Sequence, residues 1–436
     1  MAVAIAGSEH SVPWWKEPTK DQWLAWFAGA FGWILDGFDF TIFLLIMPPI
    51  ANEFGVSVTA VASVLTVTLW LRLVGAVGSG WLGDRAGRKL PLMLSIFWFS
   101  VCNFIAGFSP TFTFLFVVRA LLGIGMGAEW PAGATLAMES WPARSRGLMG
   151  AAMQGSWNLG FALSSLAYWL LSDAIGWRGL LWLGILPALL CVYVRFCVKE
   201  PPVSVENRKR QHEANREVRA PLAAIFRRGL LFNTLTACWW MTGSMIVYYS
   251  VYGLFATWLQ TDLKVAAAAV GTPILLSNLV GYLGFWVWGA TADRIGRRGT
   301  LIIQALTGCI VAPTYLLTDD LTWIVAGFVI QGFFGGTVPA LGPPYMTERF
   351  PTEVRTSASG FCYHFGLVFG ALVPPVISYF AIELHVGFAV PMLIGTLVGA
   401  GTMISALLLS PETKGTVFVA DLMGQGAEVP VVSPVS

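Results

Sequence analysis

Twelve long apolar runs, each closed by charged residues or a Gly/Pro cluster, dominate this chain of 436 residues. They cover about 22–47, 57–82, 90–108, 112–137, 147–171, 177–198, 231–258, 268–290, 299–317, 322–344, 355–380 and 385–410. A helix needs about 20 apolar residues to cross the hydrocarbon of a bilayer. Lipid offers no hydrogen bonds, so only helices and closed barrels can cross it. Barrel strands are alternating segments of about ten residues, whereas these runs are continuous. The chain is therefore expected to be an all-α polytopic membrane protein with 12 transmembrane helices. Composition agrees, with 56% apolar and 11% charged residues against about 45–50% and 25% in soluble chains. That excludes a secreted enzyme, a disordered chain and a single-span receptor with a soluble head. The 26 Lys+Arg against 24 Asp+Glu leave a net +2, too balanced for a nucleic-acid partner.

The longest polar interval, Lys199 to Arg228, carries eight Lys/Arg and divides the runs six and six. The expected organisation is a tail over 1–21, a six-helix half over 22–198, a central loop over 199–230, a second half over 231–410 and a tail over 411–436. Basic residues mark the cytoplasmic side of a membrane protein. With both termini inside, that side holds the central loop and nearly all other Lys/Arg near the run ends, leaving Arg178 and Lys264 outside. Both termini are thus expected in the cytoplasm, and the first 20 residues do not read as a cleavable leader. The six cysteines lie in apolar stretches without metal-ligand spacing and read as packing residues.

A tandem repeat organises the halves. Gly83-Asp84-Arg85-Ala86-Gly87-Arg88-Lys89 returns as Ala292-Asp293-Arg294-Ile295-Gly296-Arg297-Arg298, and Glu139-x-x-Pro142-x-x-x-Arg146 returns as Glu348-x-x-Pro351-x-x-x-Arg355. Both pairs are 209 positions apart. Six spans separate the copies, so the halves have parallel topology about an axis along the membrane normal. Folds of that kind hold substrate near the midplane between the halves. Asp84 and Asp293 suit helix N-terminal caps. Arg85, Arg88, Arg294 and Arg297 are placed to meet Glu139 and Glu348, so that with Arg146 and Arg355 they form a cytoplasmic gate.

The duplicated GxxxDRxGRK-type loop, Arg119-x-x-x-Gly123-x-Gly125 in span 4 and Pro411-Glu412-Thr413-Lys414-Gly415 resemble the major facilitator superfamily. More narrowly, Asp36-Gly37-Phe38-Asp39-Phe40, Arg72, Gly125-Met126-Gly127-Ala128-Glu129 and Glu139-Ser140-Trp141-Pro142 are similar to the sialate:proton symporter family. The resemblance implies the major facilitator fold and proton-coupled uptake of sialic acid or a lactate/pyruvate-type monocarboxylate. The aromatic-acid:proton symporters carry a paired-Asp pattern in span 1 too, and remain an alternative.

Ionisable groups inside a membrane are costly and so mark function. Asp36, Asp39, Arg72, Arg119 and Glu129 are interior, and all lie in the first half; positions 119 and 129 return as Phe328 and Val338. Asp36 and Asp39 share a helix face, with Gly37 between them open to local unwinding. Those two carboxylates, Glu129 and Arg119 are the proton-coupling candidates, with a static ion pair as the alternative. Arg72 sits some 18 Å of helix from the loop and suits a substrate carboxylate, with a structural pairing to Asp36, Asp39 or Glu129 as the alternative. Gln154, Asn158, Trp33, Trp70 and Trp130 join it as substrate candidates in the first half. Tyr248, Tyr249, Tyr252, Asn278, Gln304, Gln331 and His364 are those of the second.

No nucleotide-binding GxxxxGK[ST] motif, metal constellation or nucleophile–His–acid set occurs. The expected protein is not an enzyme and needs no cofactor or metal. It is a symporter of the inner or plasma membrane, functional as a monomer, whose partners are protons, a small organic anion and the bilayer. A metabolite receptor without transport is the rival class, disfavoured by tails too short for an output domain.

Overall fold

The computed structural model describes residues 13–420. Among them, regular structure is helical throughout. Span 1, Lys20–Phe54, begins at a capping box in which Thr19 and Gln22 exchange hydrogen bonds. It runs past Pro48 and Pro49, beyond the edge expected at 47, and stops at Gly55 with φ 64°. Lipid offers the backbone no alternative partners, which lets the helix continue through both prolines. Span 2 is Val58–Ala86, span 3 Lys89–Ala106 and span 4 Phe112–Ser140.

The next helical run, Ala143–Cys197, has 55 residues, more than twice what one crossing requires. It is two crossings, because Gly176 interrupts the helix at φ 62°, ψ −176°, a conformation open to glycine. Span 1 acts as the ruler. Trp177 donates to Glu53 near its end at 2.6 Å, whereas Tyr193 donates to the Leu24 carbonyl near its start at 3.0 Å. Span 5 therefore runs from Arg146 to the Gly176 bend, and span 6 returns to Cys197.

The second half comprises span 7 (Arg228–Val251 and Phe255–Thr261), span 8 (Ala267–Ile295) and span 9 (Arg297–Leu316). Span 10 follows (Leu321–Phe334 and Gly342–Glu348), then span 11 (Arg355–Gly370 and Val373–Glu383) and span 12 (Ala389–Leu408). Spans 7, 10 and 11 are each broken, whereas span 4, the counterpart of span 10, continues through Pro131. Gly335, Gly336, Pro339, Pro343 and Pro344 account for the break in span 10. Irregular backbone at this depth is tolerated where it lines a protein cavity, and Gly336 and Pro339 do. The central interval is more than a polar loop. It carries helix Pro202–Glu213, from which Arg208 donates to the Ala86 carbonyl at 2.8 Å.

Apolar lipid supplies little drive for helix association, so backbones must approach closely. Span 4 does this with alternate glycines. A Cβ on Gly123 or Gly127 would strike the Thr68 or Arg72 backbone of span 2, and one on Gly125 would strike Phe99 of span 3. Span 1 meets span 5 in the same way. Gly37 admits Trp157 and Gly160 admits Ile34 and Phe38. Helix 1 is unbroken at Gly37, so that residue serves close packing and the expected unwinding does not occur.

Gly127→Val should force span 4 from span 2 and displace Arg72. Overpacking of this kind costs about 1–3 kcal/mol. Thermal unfolding of the purified protein in detergent should show a lower midpoint, and an unchanged midpoint would contradict the packing described.

Candidate functional site

A cavity lies between the halves, lined by residues of both. The first half contributes Trp33 and Phe40 from span 1, Arg72 from span 2, and Gln154, Trp157 and Asn158 from span 5. The second half supplies Tyr248 and Tyr249 from span 7, Phe285 from span 8 and Tyr363 from span 11. Arg72 is the one charged residue in the lining, and half of the sixteen lining residues are aromatic. Its guanidinium carbon stands 5.8 Å from the Trp157 ring, within cation–π range.

One wall joins the halves through hydrogen bonds. Gln154 accepts from Trp130 Nε1 at 3.1 Å and donates to the Tyr363 hydroxyl at 3.1 Å. Trp130 and Tyr363 stack at 3.8 Å, and Trp33 Nε1 donates to the Gln154 carbonyl at 3.0 Å. Gln154 and Tyr363 are themselves 209 positions apart. They are equivalent residues of the repeat and meet where its axis passes.

The interior charges form two pairs and one solitary group. Arg72 Nη2 donates to Asp36 Oδ1 at 2.6 Å, while Arg72 Nε and Asp36 Oδ2 are buried without hydrogen-bond partners. Arg119 Nη1 reaches both oxygens of Asp39 at 3.2 Å and Asn103 at 2.9 Å, with its guanidinium 4.2 Å from the Phe43 ring. This second pair is fully buried and lies outside the cavity lining. Neither oxygen of Glu129 has a hydrogen-bond partner, and the carboxyl lies against Gly32 and Gly133.

The arginine-rich face is closed by a crossed ion lattice. Positive φ at Gly87 and Gly296, 103° in each, turns the chain so that the next arginine points back. Arg88 then bonds Glu139 at 2.9 Å and Arg297 bonds Glu348 at 3.1 Å, each within its own half. Arg355 crosses over to Glu139 at 2.6 Å and Arg146 to Glu348 at 3.4 Å. Asp84 caps span 11 by accepting from the Thr356 and Ser357 N–H groups at 3.0 and 2.9 Å. Asp293 caps span 5 through Gly147 and Leu148 at 2.9 and 2.8 Å. Every element of this lattice has its repeat partner, and each half caps a helix of the other.

Several expected residues sit elsewhere. Trp70 is 46% exposed and does not line the cavity; its position on span 2 turns it away from Arg72 by two residues. Tyr252 lies one layer behind Tyr248, stacked on it at 5.3 Å and bonded to Ser277 at 2.6 Å. Asn278 is behind Asn158, whose amide it accepts at 3.0 Å. Trp130, Gln331 and His364 are buried outside the lining, Trp130 behind Gln154 and Tyr363, with His364 Nδ1 2.9 Å from the Gly360 carbonyl. Gln304 likewise points to Thr337 at 3.1 Å. Arg85 and Arg294 are exposed and stay out of the lattice, Arg85 lying over Trp81 at 5.0 Å. They precede the glycine that turns Arg88 and Arg297 inward.

Sequence reasoning also missed residues. Glu200 accepts from Arg88 and Lys89 N–H groups as Glu412 does from Arg297 and Arg298, so each half's third helix has an acidic cap. A glutamate following span 6 and another following span 12 was the available signal. Tyr363 and Trp157 were also absent from the expected set, although the repeat offset from Gln154 leads directly to Tyr363.

The Major Facilitator Superfamily model matches residues 29–258 and 241–424. The chain belongs to that superfamily. A probable 4-methylmuconolactone transporter of Cupriavidus pinatubonensis is 32% identical over 435 residues, covering 97% of this chain and 99% of that one. A sialic acid transporter of Escherichia coli is 24% identical over 93% of this chain and 98% of its own. Among solved structures, the proton:xylose symporter bound to 6-bromo-6-deoxy-D-glucose superposes with a TM-score of 0.73 at 17% identity, covering 91% of this chain and 98% of that one. The protein is thus a multi-pass membrane transporter and not an enzyme, with twelve helices in two repeat-related halves.

The lattice predicts a separable phenotype. Asp84→Asn weakens two charge-assisted hydrogen bonds across the halves, each worth about 1.5–3 kcal/mol. The cavity residues are untouched, so substrate binding should persist while exchange across the membrane slows at least tenfold. Loss of binding with exchange intact, measured by calorimetry and counterflow, would contradict the gating role.

Proposed function

We propose that this transporter imports, together with protons, a small organic acid bearing one carboxylate on a flat aromatic or unsaturated ring. The single observation that carries the reading is the cavity lining, one guanidinium among aromatic walls. Arg72 is the carboxylate anchor, since a planar fork suits bidentate binding. Trp33, Trp157, Phe40 and Tyr249 offer faces and edges for a ring. A second carboxylate would find no second cation in the lining, which favours monoanions.

This reading prefers the aromatic-acid alternative to sialic acid or lactate. A sialic acid carries many hydroxyls that need partners once desolvated. Gln154, the natural donor–acceptor of this cavity, is committed at both ends to Trp130 and Tyr363. A three-carbon acid carries no ring to meet the aromatic walls. The relative at 32% identity is named for a ring-containing lactone, which supports the same class.

Proton coupling rests on the one-pronged Arg72–Asp36 pair. An ionised Asp36 competes with substrate for Arg72, and protonating Asp36 releases the guanidinium. Binding is then tighter at low pH. Glu129, buried with both oxygens unpartnered, is the next proton site, because an anion left alone in apolar surroundings is strongly disfavoured. Asp39 and Arg119 form a supporting pair that can exchange protons or hold spans 1 and 4 together. In the cell membrane the arginine-rich face is cytoplasmic, with both termini on that side, and the closed lattice is the state that receives substrate from outside. The monomer suffices.

Uptake of labelled benzoate-type acids into proteoliposomes, with an imposed inward proton gradient, tests the reading. Accumulation should collapse with a protonophore; accumulation that follows sodium would sink the proton assignment. Arg72→Lys keeps charge but loses the fork, and should weaken binding at least tenfold. Asp36→Asn should retain counterflow, lose gradient-driven accumulation and flatten the pH dependence of affinity. If Asp36→Asn still accumulates substrate, Glu129→Gln should be the variant that does not.

A further inference from the structure

The segment following span 12 lies across the crossed ion lattice. The Phe418 ring centroid is 3.9 Å from the Arg146 guanidinium and 4.0 Å from that of Arg355. These two arginines are repeat equivalents from opposite halves, and each already reaches a glutamate of the other half. One aromatic ring therefore holds both crossing cations where the repeat axis leaves the protein.

Backbone bonds fix the segment on either side of that ring. Arg146 donates to the Thr416 carbonyl at 2.7 Å, and Thr352 donates to the Val419 carbonyl at 3.0 Å. Earlier in the segment, Thr413 donates to Glu348 at 2.7 Å. Further on, Arg210 of the central helix donates to the Ala420 carbonyl at 3.3 Å. First half, second half and connecting helix are thus tied through five consecutive residues. Arg146 and Arg355 carry like charge, and a shared π face eases their approach while their carboxylates neutralise them.

We propose that Thr416–Ala420 is an internal latch, in which Phe418 bridges Arg146 and Arg355 and holds the arginine-rich face shut until the segment is displaced. The proposal rests on the alternating-access reading above. Opening that face separates Arg146 from Arg355, so Phe418 must release at least one of them. The segment then sets how readily the closed state opens, without touching the cavity some helical turns away. Because the central helix holds its last carbonyl, displacement of that helix would release the latch.

The test uses full-length protein and hydrogen–deuterium exchange. The amides of Gly147, Leu148, Thr356 and Ser357 report the lattice directly, since they donate to Asp293 and Asp84. Phe418→Ala should speed exchange in peptides carrying these amides at least fivefold, whereas Phe418→Tyr, which keeps the ring, should exchange like the parent. Peptides around Glu53 and Trp177 at the opposite ends of the spans should not change. Unaltered exchange in Phe418→Ala overturns the latch, and so does acceleration spread equally to both ends. Counterflow of the parent protein is measured alongside. If it is absent while the local acceleration occurs, the transport cycle proposed above fails and the latch itself stands.

Discussion

Everything in this protein hangs on two buried glutamates. Glu139 and Glu348 close the fourth span of each half, and their carboxylates are fully shielded from solvent. A lone carboxylate there would be strongly destabilising, and breaking a buried pair costs about 3–5 kcal/mol. Each is therefore surrounded by two arginines, one from its own half and one from the other. The desolvated charge makes the two halves neighbours. It also makes their separation a discrete event, because no partial opening leaves both glutamates satisfied.

The midplane works by the same rule with a different outcome. Arg72 and Asp36 neutralise one another through one bond and leave an atom on each side uncommitted. A saturated pair such as Arg88 with Glu139, held through two nitrogens, is suited to locking. An unsaturated pair beside a cavity leaves a donor and an acceptor uncommitted, and the exchange proposed above rests on that difference. Glycines of span 4 bring Arg72 to this depth by letting span 2 approach, so the packing that builds the half also places its charge.

The repeat relates the two levels. Arg146 with Arg355, and Gln154 with Tyr363, are equivalent residues that meet near one axis. Gln154 is eight residues beyond Arg146 in span 5, about 12 Å along the helix at about 1.5 Å per residue. A rocking of the halves about the midplane would move the lattice and this wall together, which is how a charge rearrangement at the cavity can be felt at the arginine-rich face.

The sequence by itself determined the number of crossings, the division into two halves and most of the lattice charges, Arg85 and Arg294 being the two it wrongly included. Continuous apolar runs can cross hydrocarbon only as long helices, and the 209-residue offset repeats every charge of the ion lattice. Asp36, Asp39, Arg72, Arg119 and Glu129 were legible for the same reason, since charges within apolar runs stand out. Only the tertiary structure decided which carboxylate each arginine meets. Arg355 reaches Glu139 across the interface, and Arg85 turns to solvent, because a glycine at positive φ and the crossing of the halves set directions that spacing does not encode. The aromatic walls were hidden for a further reason. A tryptophan such as Trp157 facing the cavity and one such as Trp70 facing outward are the same apolar residue in a membrane sequence, and only the packing of neighbouring helices tells them apart.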